Sequence, residues 1–393
     1  MLPALALTTR FGTGLTQLLI FLLFAWYANK GLLAFYAVHF RALAPIMLGF
    51  GGYFVVSLVR MLYFHQGLYT VDGPFHLLLG LSCIGFVGFL RPRIRWFWLG
   101  LCVGAIGAGV FALVQRFIYG IDRVVGYTHH PITFGNLALA LGVMSLCSWS
   151  EFRKTRLFFL PVAALLFGLL ASILSGSRGG WAALLLAAAP LLYYGRALRD
   201  RRIAYAVGAL LGLCVLLYLV PATGVGQRVA EANSDMRLYF GHGDANTSVG
   251  IRLELWKASW LMFLEHPILG VGRDSFFDAL QILAQQGKLQ QSQALTYSSS
   301  HNDVLDFLAT GGLLDCSFLL LMYLAPLLFF CSRLRKKEGR YRTAALTGML
   351  LVTCFIGFGL TDVMFWLMIP KVFYVMMVCV LTGFCLTAKE TRV

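Results

Sequence analysis

Long runs of mostly apolar residues constrain this chain more than any other feature. Eleven are clear, near 12–27, 43–62, 75–90, 96–115, 132–148, 157–175, 180–194, 203–220, 312–332, 344–361 and 370–387. Each is about the length an α-helix needs to cross the ~30 Å of hydrocarbon in a bilayer. Residues 31–40, GLLAFYAVHF, are apolar but short, and could complete a twelfth span with a bent or truncated start. The composition agrees: 59% of residues are hydrophobic and 12% charged, about half the charge of a soluble domain of this size. The expected fold is an all-α polytopic membrane protein of about twelve transmembrane helices.

The net charge of +15 does not point to nucleic acid, because the basic residues lie between the apolar runs. They gather at Arg91, Arg93 and Arg95, at Arg153, Lys154 and Arg156, and from Arg196 to Arg202. A further group runs from Arg333 to Arg342, and the tail carries Lys389 and Arg392. These clusters occupy alternate connections, and basic loops stay on the cytoplasmic side. Connections 63–74, 116–131, 176–179, 221–302 and 362–369 then face outward. Only 221–302 is large, and long loops without structure of their own are uncommon. The chain is expected to divide into an N-terminal transmembrane bundle (1–220), a helical outer cap (221–302) and C-terminal transmembrane helices (303–393). Nine cysteines lie in or beside the apolar runs with no CxxC pattern, so neither a disulfide framework nor a zinc site is expected.

Polar residues at the outward ends are candidates for chemistry. In IRLELWKASWLMFLEH (251–266), 100° per residue puts Glu254, Lys257 and Glu265 on one side and Arg252 on the other, with Trp256, Ser259 and Phe263. A guanidinium on an apolar face is costly unless an anion meets it. Either Arg252 snorkels or joins an ion pair, or its planar fork of donors clamps a phosphate. Arg178 sits in LSGSRGGW, a very short connection whose glycines let a large anion approach. It reads as an anion site or as a headgroup anchor. His301, in SSSHNDVLDFLATGG, stands where the outer segment returns to the membrane. Ser300, or His301 with Asn302, could cap the helix that follows, and His301 could accept a proton at neutral pH. Arg123 and His130 lie in another outward loop, and Asp362 ends a span on the same side. Asp362 could organise an arginine or join the site, and a helix-terminal carboxylate without such a role fits equally.

Four passages carry a family resemblance: GYTHHPITFGN, SGSRGGW, GIRLELWKASWLMFLEHPILGVG and SSSHNDVLDFLATGG. Their order, their outward placement and the single large outer loop resemble the O-antigen ligase and polymerase superfamily of bacterial envelope glycan enzymes, whose fold is that of the C-type glycosyltransferases. The single dominant outer loop is most similar to the ligase branch. Repeat-unit polymerases usually divide their arginines between two sizeable loops.

The resemblance implies a multi-pass protein of the bacterial inner membrane with its active site at the periplasmic face. It implies transfer of a polysaccharide from undecaprenyl diphosphate to a sugar hydroxyl on lipid A–core, with membrane lipids as further partners. Arg178 and Arg252 would bind the diphosphate and His301 would orient or deprotonate the hydroxyl, with Asn302, Asp362, Arg123 and His130 nearby. A single displacement would invert the anomeric centre. With no Asp-x-Asp pattern in the outer segments, metal independence is expected, and no cofactor. A polymerase or another ligase of the superfamily differs only in acceptor. A lipid or glycan transporter would need a charged path through the bundle, and the spans carry few charges, Lys371 among them.

Overall fold

The computed structural model of this protein describes residues 2–63, 65–177, 179–197, 208, 212, 225–335 and 342–387. Among these residues every regular element is a helix, as a bilayer requires of a backbone that must satisfy its hydrogen bonds internally. Seven helices are long and apolar enough to cross a membrane: Leu33–Leu62, Tyr69–Leu90, Ile94–Ile118, Pro131–Phe152, Asp303–Arg335, Arg342–Gly359 and Met368–Leu386. Gly12–Tyr27, Leu160–Leu174 and Gly180–Tyr194 are shorter apolar helices. The chain is therefore an all-helical polytopic membrane protein, as its apolar runs imply. The span expected near 203–220 lies almost wholly outside the described residues.

One point left open by the sequence is residues 31–40: from Leu33 they run on into 43–62 as the single helix Leu33–Leu62, while Gly31 and Leu32 end the widened turn Ala28–Leu32 before it. Arg41, which divides the two apolar stretches in the sequence, is exposed and leaves the helix unbroken. Pro45 removes one backbone donor, and the helix continues through a widened turn at Leu48–Gly52.

The chain divides into two compact units. One draws on Met1–Arg199, Leu320–Phe358 and Met364–Val393, the other on Asp200–Leu319 and Gly359–Val363. In the first, Pro131–Ser145 is buried continuously from Thr133, and Met368–Leu386 from Pro370. Helices that are apolar on every face belong inside a bundle. Lys371 is among those buried residues.

The second unit has its own core. Helices Val225–His242, Ser248–Glu265 and Phe276–Gln285 precede the start of Asp303–Arg335. Leu255 and Met262 pack with Phe276, Leu280, Leu283 and Leu289, all nearly fully buried, each contributing on the order of 1.5–3 kcal/mol. Thr247 caps the second helix by accepting the Gly250 N–H at 3.0 Å, which satisfies an otherwise unpaired first-turn donor. Glu254 is buried rather than solvated. It accepts from the Tyr239 hydroxyl and from the Gln290 N–H, both at 2.9 Å, so it ties two helices and a loop together. Burial, with the Glu254 charge adding to it, pushes the Tyr239 phenol up to about 12.

The helix Asp303–Arg335 breaks at Gly312, whose φ of 65° and ψ of −160° are not helical. The segment after the second cap helix fills the break. The Val271 and Gly272 N–H groups donate to the Ala309 and Thr310 carbonyls at 2.9 and 3.0 Å. Leu313 and Leu314 donate in turn to Pro267 and Ile268 at 2.8 and 3.3 Å. Irregular backbone beside a membrane is tolerable only when its polar groups are paired in this way. A Cβ at Gly270 would collide with the Thr310–Gly311 backbone, and one at Gly312 with that of Ile268. The Pro-x-x-Gly-x-Gly passage and the Gly311–Gly312 pair are two sides of one joint.

Candidate active site

In the second unit the site is built around the turn that leads into Asp303–Arg335. Asn302 is the N-cap, its Oδ1 accepting the Leu305 N–H at 3.1 Å. Ser300 closes the turn, its Oγ accepting the Asn302 N–H at 3.2 Å and donating to the Asn302 carbonyl at 2.8 Å. Between them His301 has φ of 53°, a left-handed conformation that costs a non-glycine residue on the order of 1 kcal/mol. Such strain persists only where surrounding contacts over-determine it.

Those contacts are present. The Ser300 N–H donates to Asp306 Oδ1 at 3.0 Å. The Ser300 carbonyl accepts the indole N–H of Trp256 at 3.1 Å. The backbone just before His301 is thus held on both its donor and its acceptor side. His301 Nδ1 lies 3.2 Å from Asp362 Oδ1, and the His301 ring meets Tyr297 edge-on at 5.2 Å. Asn302 Nδ2 donates to the Leu360 carbonyl at 3.2 Å, which fixes the segment that carries Asp362. Asp362 is 6% exposed and His301 is half-buried, so the imidazole pairs inward and keeps one edge accessible.

Arg252 sits one helical turn before Trp256, on the same face and about 6 Å along the axis. It is half-buried, and among the described residues it has no carboxylate partner. Trp256, whose indole grips the His301 turn, therefore brings the Arg252 face of the helix next to that turn. Asp306 is fully buried, and both Arg273 and His301 lie close enough to act on its charge.

The first unit holds the other candidates. Arg178 lies outside the described residues, but its neighbours are well defined. Ser175 Oγ accepts the Ser177 N–H at 3.2 Å. Ser177 Oγ donates to Asn136 Oδ1 at 2.8 Å, pinning the turn to the buried helix Pro131–Ser145. Gly176 between them has φ of 68°. Arg123 joins this turn, its Nε donating to the Ser175 carbonyl at 3.2 Å while the side chain stays exposed. The neighbouring Val124 N–H donates to the Leu174 carbonyl at 3.3 Å. His130 acts locally as the cap of Pro131–Ser145, with Nδ1 3.1 Å from Thr133 Oγ1 and facing the Thr133 N–H.

The structure thus brings His301, Asn302 and Asp362 into one cluster beside the Arg252 face, and sets Arg123 against the Ser175–Ser177 turn. Sequence reasoning missed the positioning roles of Trp256, Asp306 and Asn136, and named Ser300 only as a possible helix cap. Asp306 does stand four residues after Asn302, on the same helical face. Nothing local links Trp256 to Ser300 across 44 residues.

Three similarities to known proteins bear on this geometry. The family model described as O-antigen ligase matches residues 163–314, a stretch that includes Arg178, Arg252 and His301. An uncharacterised protein of Haemophilus influenzae is 25% identical over 311 residues, 77% of each chain. An O-antigen ligase of Escherichia coli is 22% identical over 263 residues, which is 67% of this chain and 54% of that ligase.

Proposed function

We propose, starting from a chain that belongs to the O-antigen ligase superfamily, that this protein transfers a polysaccharide from undecaprenyl diphosphate to a sugar hydroxyl of lipid A–core. The observation that carries this reading is the His301–Asp362 pair, held in a strained turn at the end of a membrane helix. Asp362 accepts the Nδ1 proton, which leaves the Nε2 lone pair for the incoming hydroxyl. The hydroxyl oxygen bonds to the anomeric carbon as the carbon–oxygen bond to the diphosphate breaks. Its proton passes to His301, and undecaprenyl diphosphate departs with the electron pair. A single displacement of this kind inverts the anomeric centre.

Arg252 and Arg178 carry the charge of the diphosphate. A guanidinium matches phosphate oxygens through two parallel hydrogen bonds, and cationic donors aimed at developing charge are usually the largest catalytic contribution. Arg123, bonded to the Ser175 carbonyl, adds positive charge at the turn that precedes Arg178 in the sequence. The site faces the periplasm across the inner membrane, since the basic clusters occupy the opposite connections.

Purified protein with lipid-linked glycan and lipid A–core tests the reading. The expected product is the glycan joined to the core. Growth of free, lipid-linked polymer without conjugation would make the protein a repeat-unit polymerase instead.

A further inference from the structure

We infer that the end of the helix Ser248–Glu265 and the turn after it are seated in the membrane surface, with Trp260, Leu264, Ile268 and Leu269 against lipid acyl chains. Single exposed apolar residues need no explanation. Here, however, four large ones fall within ten residues, with Leu264 57% and Ile268 67% exposed.

Their position identifies the partner. Pro267 and Ile268 accept hydrogen bonds from Leu313 and Leu314, so they stand level with those residues on a helix long and apolar enough to cross a membrane. Arg333 marks the basic end of that helix. Counting back ~20 residues, the length of a hydrocarbon crossing, reaches Leu313. Leu313 is itself 57% exposed. Ile268 and Leu269 therefore lie where the spanning helix enters hydrocarbon, beside the exposed Leu313.

The charges agree with this seat. Arg252, Glu254 and Lys257 all fall in the first part of the cap helix, and no charged residue occurs from Ala258 to Leu264. Glu265 points about 100° away from Leu264 and pairs with Lys288 at 2.7 Å. His266 is exposed beside it, at headgroup level. Asp315, just beyond the break, is buried and does not face lipid. Tryptophan at such a boundary is the usual anchor, and an apolar end below a charged stretch is how an interfacial helix binds. The seat concerns the cap and the lipid alone, and holds whatever the enzyme transfers. It would also fix the height of Arg252, about 18 Å along the helix from Leu264.

The test is photocrosslinking of the full chain in nanodiscs of phosphatidylethanolamine and phosphatidylglycerol with alkyne-tipped acyl chains. p-Benzoylphenylalanine is placed, one position at a time, at Leu264, Ile268, Lys257 and Glu265. All four side chains are exposed, so each variant keeps its packing. Lipid adducts are expected at 264 and 268, several-fold above those at 257 and 265. Equal labelling at all four positions overturns the seat. So do adducts at 264 and 268 to a second protein chain in place of lipid, which would mark a protein interface.

Discussion

The turns at Ser175–Ser177 and Ser300–Asn302 share a local plan and differ at the bend. In each, a serine hydroxyl accepts the N–H two residues on, at 3.2 Å. In each, the middle residue is left-handed, with φ of 68° at Gly176 and 53° at His301. Glycine adopts that conformation without penalty. Histidine does not, and its turn is held by Trp256, Asp306 and Asp362, where the glycine turn is held by Arg123 and Asn136. The difference separates a bend whose residue is chosen by the backbone from one whose residue is chosen by chemistry. In the first the residue proposed to bind the diphosphate, Arg178, follows the bend in sequence. In the second the proposed proton acceptor, His301, is the bend.

The largest effects should fall on the arginines. Arg178→Ala and Arg252→Ala are each expected to lower transfer by about 10²–10³-fold or more without preventing insertion, as measured by conjugated product per folded protein. Lysine should rescue poorly, since it lacks the bidentate fork. Near-wild-type activity with lysine at both positions would reduce them to surface anchors.

Next comes the histidine turn. His301→Ala should slow transfer by about 10²–10⁴-fold while donor binding, measured by titration with lipid-linked glycan, stays largely intact. Substantial activity in His301→Gln would favour orientation of the hydroxyl over proton acceptance. Trp256→Phe removes the indole donor to Ser300 and should cost about tenfold, the worth of a net hydrogen bond of ~1.4 kcal/mol. If Trp256 acts through His301, that loss disappears in a His301→Ala background. A full additional tenfold loss there would show that the tryptophan acts elsewhere.

Thermal unfolding separates the two bends further. Gly176→Ala forces a Cβ into the left-handed region and is expected to destabilise by about 1 kcal/mol. His301→Asn puts in a residue that takes this conformation readily. It should leave thermal stability within about 0.5 kcal/mol and still lose transfer. The opposite order of stabilities would mean that His301 is not held against strain.

The smallest expected effect is that of a chelator. The proposed clamp uses fixed guanidinium charge where other phosphoryl sites use a metal, so transfer should be unchanged in EDTA. Activity lost in EDTA and restored by magnesium or manganese would place a metal in the reaction.

Much of this architecture was legible in the residue order. Apolar length identified the helices, because crossing hydrocarbon needs a fixed number of residues and no special partner. Arg41 interrupts an apolar run in the sequence without interrupting a helix, and Leu33–Leu62 passes straight through it. The candidate site was legible as residue types, with Arg252 on an apolar face, His301 beside a helix cap and Asp362 at a span end.

The sequence by itself therefore determined what depends on neighbours along the chain: helix length, face and cap. Only the tertiary structure decided that Asp362 meets His301 across 61 residues, that Trp256 holds Ser300 across 44, and that the Pro267–Gly272 segment completes a broken helix. The reason is physical. A helix closes its hydrogen bonds within four residues, whereas a buried side chain or an interrupted backbone must find its partner wherever the packed chain brings one.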